Sequence, residues 1–401
     1  MILGWLLWSV GLYEIAARPK IRPKGSIMTT SWFQGRTKAD LVLFVWLRAV
    51  TAALLCGMVF RSSAAAPETA PPAAGTLRQA AETRHITFGA AAASAYLAEP
   101  DYAAILASEF SQLQAENEMK FGAIHPRPDT DPNPYNFKGG DALVEFAQSH
   151  NMLVRGHTLV WHNNVPDWLK NGSYSASQLA DILHSHIKTV MTHYASKVYA
   201  WDVVNEAFTD SGAMRDTIWY NQPGIGTGKG TKYIEQVLRW AHEADLLAKL
   251  FYNDYDAEMI NKKSDAIYEM AKDFKKRGVP LDGIGFQMHV SLKFDAAAKL
   301  ASVAKNLERF AKLGLELQIT ELDVRLNDSS AASLGAQAKL YGAITTLCVQ
   351  QPACKAIQTW GFTDKHSWIP QFYKGQGWAL LWDGKYQKKP AYQAVYDALA
   401  K

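Results

Sequence analysis

Eight short apolar runs recur along this chain as strand candidates, at 86–92, 112–117, 153–161, 198–206, 249–256, 283–290, 317–324 and 354–362. Amphipathic helical patterns fall between them, at 140–149, 177–194, 232–244, 262–277, 296–313 and 332–349. This alternation constrains the fold more than any other feature. Strands joined through helices pair in parallel, because the return path of a parallel connection is too long for a hairpin. Eight such units predict an α/β fold, a single (β/α)8 TIM barrel over residues 77–401, with its site at the C-terminal ends of the strands. An open doubly wound sheet is the alternative. No Gly-rich phosphate loop follows the first run, which favours the barrel. Ser177 and Ser264 are expected to cap helices, and Gly278 and Gly314 to stop them.

Residues 1–66 read differently. They hold eight Lys/Arg against two acidic residues, whereas the rest holds 34 basic and 36 acidic residues. The net charge of +4 therefore belongs to the leader, and the folded part lacks the basic footprint that nucleic acid requires. Arg36 and Lys38 precede an apolar run at 41–60, and Ser62, Ser63, Ala64, Ala65 and Ala66 follow it. That order of charge, apolar segment and small residues predicts a secretory signal, with Met28 a candidate start. About 20 apolar residues would also span a bilayer as an uncleaved anchor, but Arg48 sits in the middle of the run. The expectation is a leader at 1–66, an Ala/Pro linker at 67–76, and a secreted, extracellular protein with no stable membrane association after cleavage.

The predicted strand ends carry the chemistry. The second run ends in Glu116, Asn117 and, just beyond, Lys120; the third in His157, Trp161 and His162; the fourth in Asn205 and Glu206; the fifth in Asn253, Asp254 and Tyr255. The sixth carries Gln287 and His289, the seventh Glu321 and Asp323, and the eighth Trp360, with Trp368 just beyond. Two carboxylates across a barrel mouth suit glycosidic bond hydrolysis, where one must donate a proton and the other must be ionised. Gln287 and His289 alternate along one strand face and so point the same way, placed to position Glu321. Lys120, Glu116 and Asn117 form a polar cluster suited to hydroxyl groups, and Asn205 suits one more. Trp360 and Trp368 are expected as a stacking floor and lid, since the chain is rich in Trp (13) and Tyr (17) and a sugar ring offers an apolar face.

Other residues read as support. Asp202 and Asp323 are expected to tune the two glutamates, and His162 to stand behind the site. His184, His186 and His193 recur on one helix and predict a solvated or interhelical face. No paired cysteines and no HExxH motif mark a metal site, so no metal or cofactor is expected. Cys348 and Cys354 suit one short-loop bridge in a secreted enzyme, or two buried thiols in a reducing compartment; Cys56 lies in the leader.

Taken together, AENEMK (115–120), GHTLVWH (156–162), WDVVNE (201–206), NDY (253–255), the Gln287/His289 pair, ITELDVR (319–325), WGFTDKHSW (360–368), GWALLWDG (377–384) and KPAY (389–392) resemble glycoside hydrolase family ten, the endo-β-1,4-xylanases. The resemblance runs from about residue 86 to the end. It implies a retaining mechanism with Glu206 as general acid/base and Glu321 as nucleophile, the carboxyls about 5–5.5 Å apart. It also implies glycone subsites lined by Glu116, Asn117, Lys120, His157, Trp161, Asn205, Gln287, His289, Trp360 and Trp368, with Tyr255 on the aglycone side. Cys348 and Cys354 match a disulfide of fungal members. A monomer acting on xylan and xylo-oligosaccharides is implied. A hydrolase of another β-glycan, a non-catalytic sugar-binding barrel and a membrane-anchored scaffold are the competing readings.

The chain departs from the family at Phe121, where Trp is common, at a long Pro-rich loop over 125–134, and at Asn163 and Asn164. These departures are expected near the distal glycone side, where they bear on subsite number. Asn171 and Asn327 begin N-x-S sequons.

Overall fold

A computed structural model describes residues 75–401. The leader, Cys56 and all but the end of the linker lie outside the described residues. Among the described residues nine strands form: β1 (Thr87–Ala92), β2 (Gln112–Ala115), β3 (Leu153–Val160), β4 (Ala200–Asn205), β5 (Lys249–Asp254), β6 (Gly283–Phe286), β7 (His289–Ser291), β8 (Glu316–Arg325) and β9 (Cys354–Thr359). The ladder runs β6-β5-β4-β3-β2-β1-β9-β8, and β6 also pairs with β8, so eight parallel strands close on themselves. The predicted (β/α)8 barrel is the observed fold, and closure leaves no open edge.

β7 is the remnant of a longer expected strand. The sixth run, read as continuous over 283–290, breaks at Gln287 and Met288. Met288 takes φ 64°, a left-handed conformation that no ladder accommodates. Its N–H donates to the buried carboxylate of Glu258 at 2.8 Å instead of to a neighbouring strand. β7 then pairs only with the outer end of β8.

Helix ends depart from expectation by a few residues. Ser175, not Ser177, caps helix Ala176–His193, in a reciprocal capping box with Gln178. Asn261 caps helix Lys262–Arg277 by accepting from the N–H of Ser264. Ser264 is buried in the first turn and donates to Asn306. Gly278 stops that helix at φ 67° and Gly314 follows the next at φ 74°, conformations that glycine adopts without strain. Helices Pro100–Glu109 and Pro390–Ala400 were not anticipated. Each starts on a proline, whose missing N–H costs nothing in a first turn.

Two of the three histidines of helix Ala176–His193 lie on the expected solvated or interhelical face, His184 exposed and His193 half-buried, and the third does not. His184 stacks on Trp240 of the next helix, and His193 pairs with Asp141 at 2.7 Å. His186 is fully buried, its ring 3.7 Å from that of Phe121. Phe121 is itself core, so this departure from the family pattern packs behind the site and does not wall it. His125, from the Pro-rich loop, is buried in the same stack against Tyr135.

The barrel interior is polar where aliphatic layers are the norm. At the N-terminal end Gln112, Gln114 and Gln358 hydrogen-bond among themselves, and Lys249 pairs with Glu316. Above them Arg155, fully buried, donates to Gln318 at 2.7 Å and to Asp202 at 2.5 and 3.3 Å. Its guanidinium lies over the Phe251 ring at 4.4 Å. Nδ1 of His157 sits 3.0 Å from Asp202 on the site side. Burial alone would raise the Asp202 carboxyl, but Arg155 and His157 hold it below the usual carboxylate range.

Removing one member of such a pair leaves an uncompensated buried charge. Arg155→Met is expected to destabilise the barrel by about 3–5 kcal/mol in urea unfolding, and Arg155→Met with Asp202→Asn by less. A single variant within about 1 kcal/mol of the parent would contradict this account.

Candidate active site

Glu206 and Glu321 face one cleft, carried by β4 and β8, with β5 and β6 between them around the ring. Glu206 is the first residue past β4 and adopts φ 54°. Its N–H donates to the carbonyl of Asn253 at 2.9 Å, which keeps β4 and β5 in register through the turn. Its carboxylate accepts from Gln287 Nε2 and from Trp161 Nε1, both at 2.9 Å. Trp161 is steadied in turn by Trp219, whose Nε1 donates to its carbonyl at 2.9 Å. His162 stands 3.9 Å from Glu206, an adjacent ring beyond hydrogen-bond range.

Glu321 is set differently. It is 4% exposed and accepts from Asn253 Nδ2 at 2.7 Å and from His289 Nε2 at 2.9 Å. The other ring nitrogen of His289 donates to Asp323 at 2.8 Å, and Trp368 Nε1 donates to the same oxygen at 2.9 Å. Burial would lower the imidazole's affinity for a proton, yet Asp323 and Glu321 push its pKa up to about 10. His289 is therefore an imidazolium at neutral pH and donates from both nitrogens. For Glu321 burial works toward protonation, but the His289 hydrogen bond and the His157 and His289 charges hold its carboxyl below the usual range.

Asn253 links the two halves. Its Oδ1 accepts from Thr320 at 2.7 Å and its Nδ2 also reaches Asn205 Oδ1 at 2.9 Å. Gln287 Nε2 approaches that same Asn205 oxygen at 3.2 Å. The reversed Asn205 amide would donate to the Asn253 carbonyl at 3.1 Å and accept from Trp161 Nε1 at 3.3 Å, but would set its NH2 against those of Asn253 and Gln287. Gly285 makes this packing possible: a Cβ there would lie 2.2 Å from Asn253 Oδ1.

The cleft has a volume of about 470 Å³. Of the residues expected at the site, it brings together Lys120, His157, Trp161, His162, Asn205, Tyr255, Gln287, His289, Trp360 and Trp368 with both glutamates. Lys120 lies 5.2 Å from the Trp161 ring and 5.5 Å from the Trp360 ring. Burial lowers its pKa against the pull of Glu321 and Glu116. Asn117 touches the cleft only through Lys120, whose Nζ donates to it at 2.9 Å. Glu116 stands off the lining, where burial raises its pKa to about 7 against the charge of Lys120. Asp202 and Asp323 are fully buried behind the wall, as their supporting roles required. Gln287 turns to Glu206 and not to Glu321, a correction that follows from the break after β6.

Asn163, expected near the distal glycone side, lines the cleft. Four further residues had no expected role there: Asp256, Arg325, Phe372 and Tyr373 also line it. Arg325 sat at the end of the ITELDVR motif, and Phe372 and Tyr373 lie shortly past Trp368, but no spacing rule aims them inward. Away from the cleft, Cys348 and Cys354 are joined, tying the end of helix Ala331–Gln350 to the first residue of β9. Asn171 and Asn327 are exposed.

Comparison with known proteins agrees with this geometry. The profile of glycosyl hydrolase family 10 matches residues 76–398. Endo-1,4-beta-xylanase B of Thermotoga neapolitana is 45% identical over 328 residues, 80% of this chain and 91% of that protein. Endo-1,4-beta-xylanase A of the fungus Phanerodontia chrysosporium is 39% identical over 311 residues, 77% of this chain and 73% of that protein. Among solved structures, native xylanase 10B from Thermotoga maritima superimposes with a TM-score of 0.76 at 46% identity, over 81% of this chain and 98% of its own. Xylanase 10B from Thermotoga petrophila, solved with xylobiose, gives the same score and identity, over 81% of this chain and 97% of its own. The profile spans the entire barrel and carries both carboxylate strands, so the chain belongs to glycosyl hydrolase family 10.

Proposed function

We propose that Glu321 and Glu206 of this endo-1,4-β-xylanase divide a retaining double displacement between them. Glu321 attacks the anomeric carbon of a xylose unit while Glu206 gives its proton to the leaving glycosidic oxygen. Glu206 then takes a proton from water as the water oxygen bonds to the anomeric carbon and the bond to Glu321 breaks. The observation that carries these assignments is the asymmetry across the cleft. Glu321 is held ionised by an imidazolium that is itself clamped by Asp323. Glu206 is held by the neutral donors Gln287 and Trp161. An ionised nucleophile and a group free to change its proton are the two roles the reaction requires.

The remaining cleft residues fit a sugar chain. Trp360, Trp368 and Trp161 offer ring faces, and Lys120, His157 and Asn205 offer hydrogen-bonding groups between them. Xylan and xylo-oligosaccharides are the substrates that this reading takes, consistent with the xylobiose bound by the Thermotoga petrophila enzyme.

Two activity experiments test these assignments. Glu321→Ala is expected to abolish release of reducing sugar from xylan while thermal unfolding stays near that of the parent; retained turnover would remove Glu321 from the nucleophile's role. With the parent enzyme, xylan is expected to be cleaved far faster than carboxymethylcellulose, and proton NMR should show the β-anomer as the first product. Initial α-anomer would refute the double displacement.

The pH profile follows from His289. Because its charge lowers the Glu321 pKa, the acid limb of kcat/KM is expected below the ordinary glutamate value of about 4.3. His289→Gln removes that charge, so the Glu321 pKa rises and the limb moves to higher pH. An unmoved limb would show that His289 does not set the ionisation of Glu321.

We further propose that the mature protein is secreted as a monomer. The Cys348–Cys354 bridge supports an oxidising compartment, and the exposed Asn171 and Asn327 would accept glycans on a eukaryotic route. Mature protein recovered from culture medium is expected to begin after about Ala66; a cell-bound chain that retains residues 41–60 would overturn this.

A further inference from the structure

The loop that follows Glu206 contains a cation that is not itself part of the cleft lining but holds two residues that are. Arg215 Nε donates to the backbone carbonyl of Glu206 at 3.1 Å. Its Nη2 donates to the carbonyl of Phe208 at 3.2 Å and to the hydroxyl of Tyr255 at 3.1 Å. The Arg215 N–H donates to the carbonyl of Ala207 at 2.8 Å. One planar guanidinium thus binds the peptide that carries Glu206 and the aromatic ring that closes the cleft beside it.

The other side of that peptide is held as well. The N–H of Ala207 donates to the Tyr252 hydroxyl at 2.9 Å, and Tyr252 donates to Asp254 at 2.5 Å. Asp254 is paired with the buried Lys263 at 2.9 Å, and the Lys263 ammonium lies 3.3 Å from the centre of the Tyr255 ring. The peptide after Glu206 therefore has its carbonyl fixed by Arg215 and its N–H fixed by Tyr252. This matters because Glu206 sits at φ 54°. A non-glycine residue there is held against a backbone cost, and without external contacts the backbone would relax and turn the carboxyl away.

We propose that Arg215 is a positioning residue for the acid/base: it holds the left-handed Glu206 peptide so that the carboxyl meets the leaving oxygen. The inference rests on the assignment of Glu206 as acid/base. In the step concerned, the bond from Glu321 oxygen to the anomeric carbon forms as the glycosidic C–O bond breaks, and the Glu206 proton passes to the departing oxygen. A leaving group that is already a stable anion needs no such proton; a basic one does.

Two aryl β-xylobioside substrates separate the possibilities, because dinitrophenyl and unsubstituted phenyl leaving groups share an aryl ring but differ widely in basicity. For Arg215→Met, kcat/KM on the phenyl substrate is expected to fall about 10–100-fold, within the range that general acid catalysis contributes, while that on the dinitrophenyl substrate falls less than about threefold. Arg215→Lys keeps one charge but cannot bridge the Glu206 carbonyl and Tyr255 together. It is expected to show the same pattern at smaller amplitude, and it carries the test should the methionine variant fail to fold. Equal losses on both substrates, or none on either, would overturn the proposal, since a merely structural residue does not distinguish leaving groups. Glu206→Ala is the reference. If it shows the leaving-group dependence and the Arg215 variants do not, only the positioning role fails; if Glu206→Ala shows none, the acid/base assignment fails and the role of Arg215 with it.

Discussion

The barrel is organised around a charge that cannot reach water. Arg155 lies fully buried in the middle of eight closed strands, where it pairs with the carboxylate of Asp202. In such a place an ion pair must be complete, since its Coulomb attraction offsets the loss of hydration only when the geometry is good and the remaining donors are used. Gln318 and the face of Phe251 take the rest of the guanidinium. The carboxylate of Asp202 then reaches upward to His157, whose ring forms part of the cleft floor. Interior packing and site geometry are thus one hydrogen-bonded column, and a change at its base is felt at the mouth.

At the mouth the column ends in backbone that departs from regular strand geometry. Glu206, Asp256 and Met288 all take positive φ, just past the ends of β4, β5 and β6. Each costs energy for a residue with a side chain. At all three a side chain takes a backbone group: Arg215 holds the carbonyl of Glu206, Asn261 that of Asp256, and Glu258 holds the N–H of Met288. The strain lets consecutive residues of a strand end serve different partners. Gln287 reaches Glu206, and two residues later His289 reaches Glu321.

The electrostatics follow the same division. Burial pushes Asp254 and Glu258 up to about 7, despite the Lys263 charge beside the first. The equally buried Glu321 is instead held low, because an imidazolium donates to it directly. Nearby carboxyls in one barrel are separated by which donor each receives, not by how deeply each lies.

The alternation of strand and helix patterns determined the (β/α)8 architecture, and the polar residues at the run ends determined which end would be the rim. Period-two alternation and strand order follow from local sterics and connection length, so both are legible in a sequence. Motif resemblance identified the two glutamates and most of the cleft. Other features needed the closed ring. Gln287 was expected to serve Glu321 and serves Glu206, because the left-handed Met288 breaks the strand between Gln287 and His289. Phe121 was expected near the cleft and is core, because it packs under a histidine 65 positions away. Arg155 and Arg215 act on partners from other strands or loops, and nothing in their own neighbourhoods distinguishes them from ordinary polar residues. Which carboxylate is ionised, and what holds the other in place, is a property of distances across the barrel that only the tertiary structure decides.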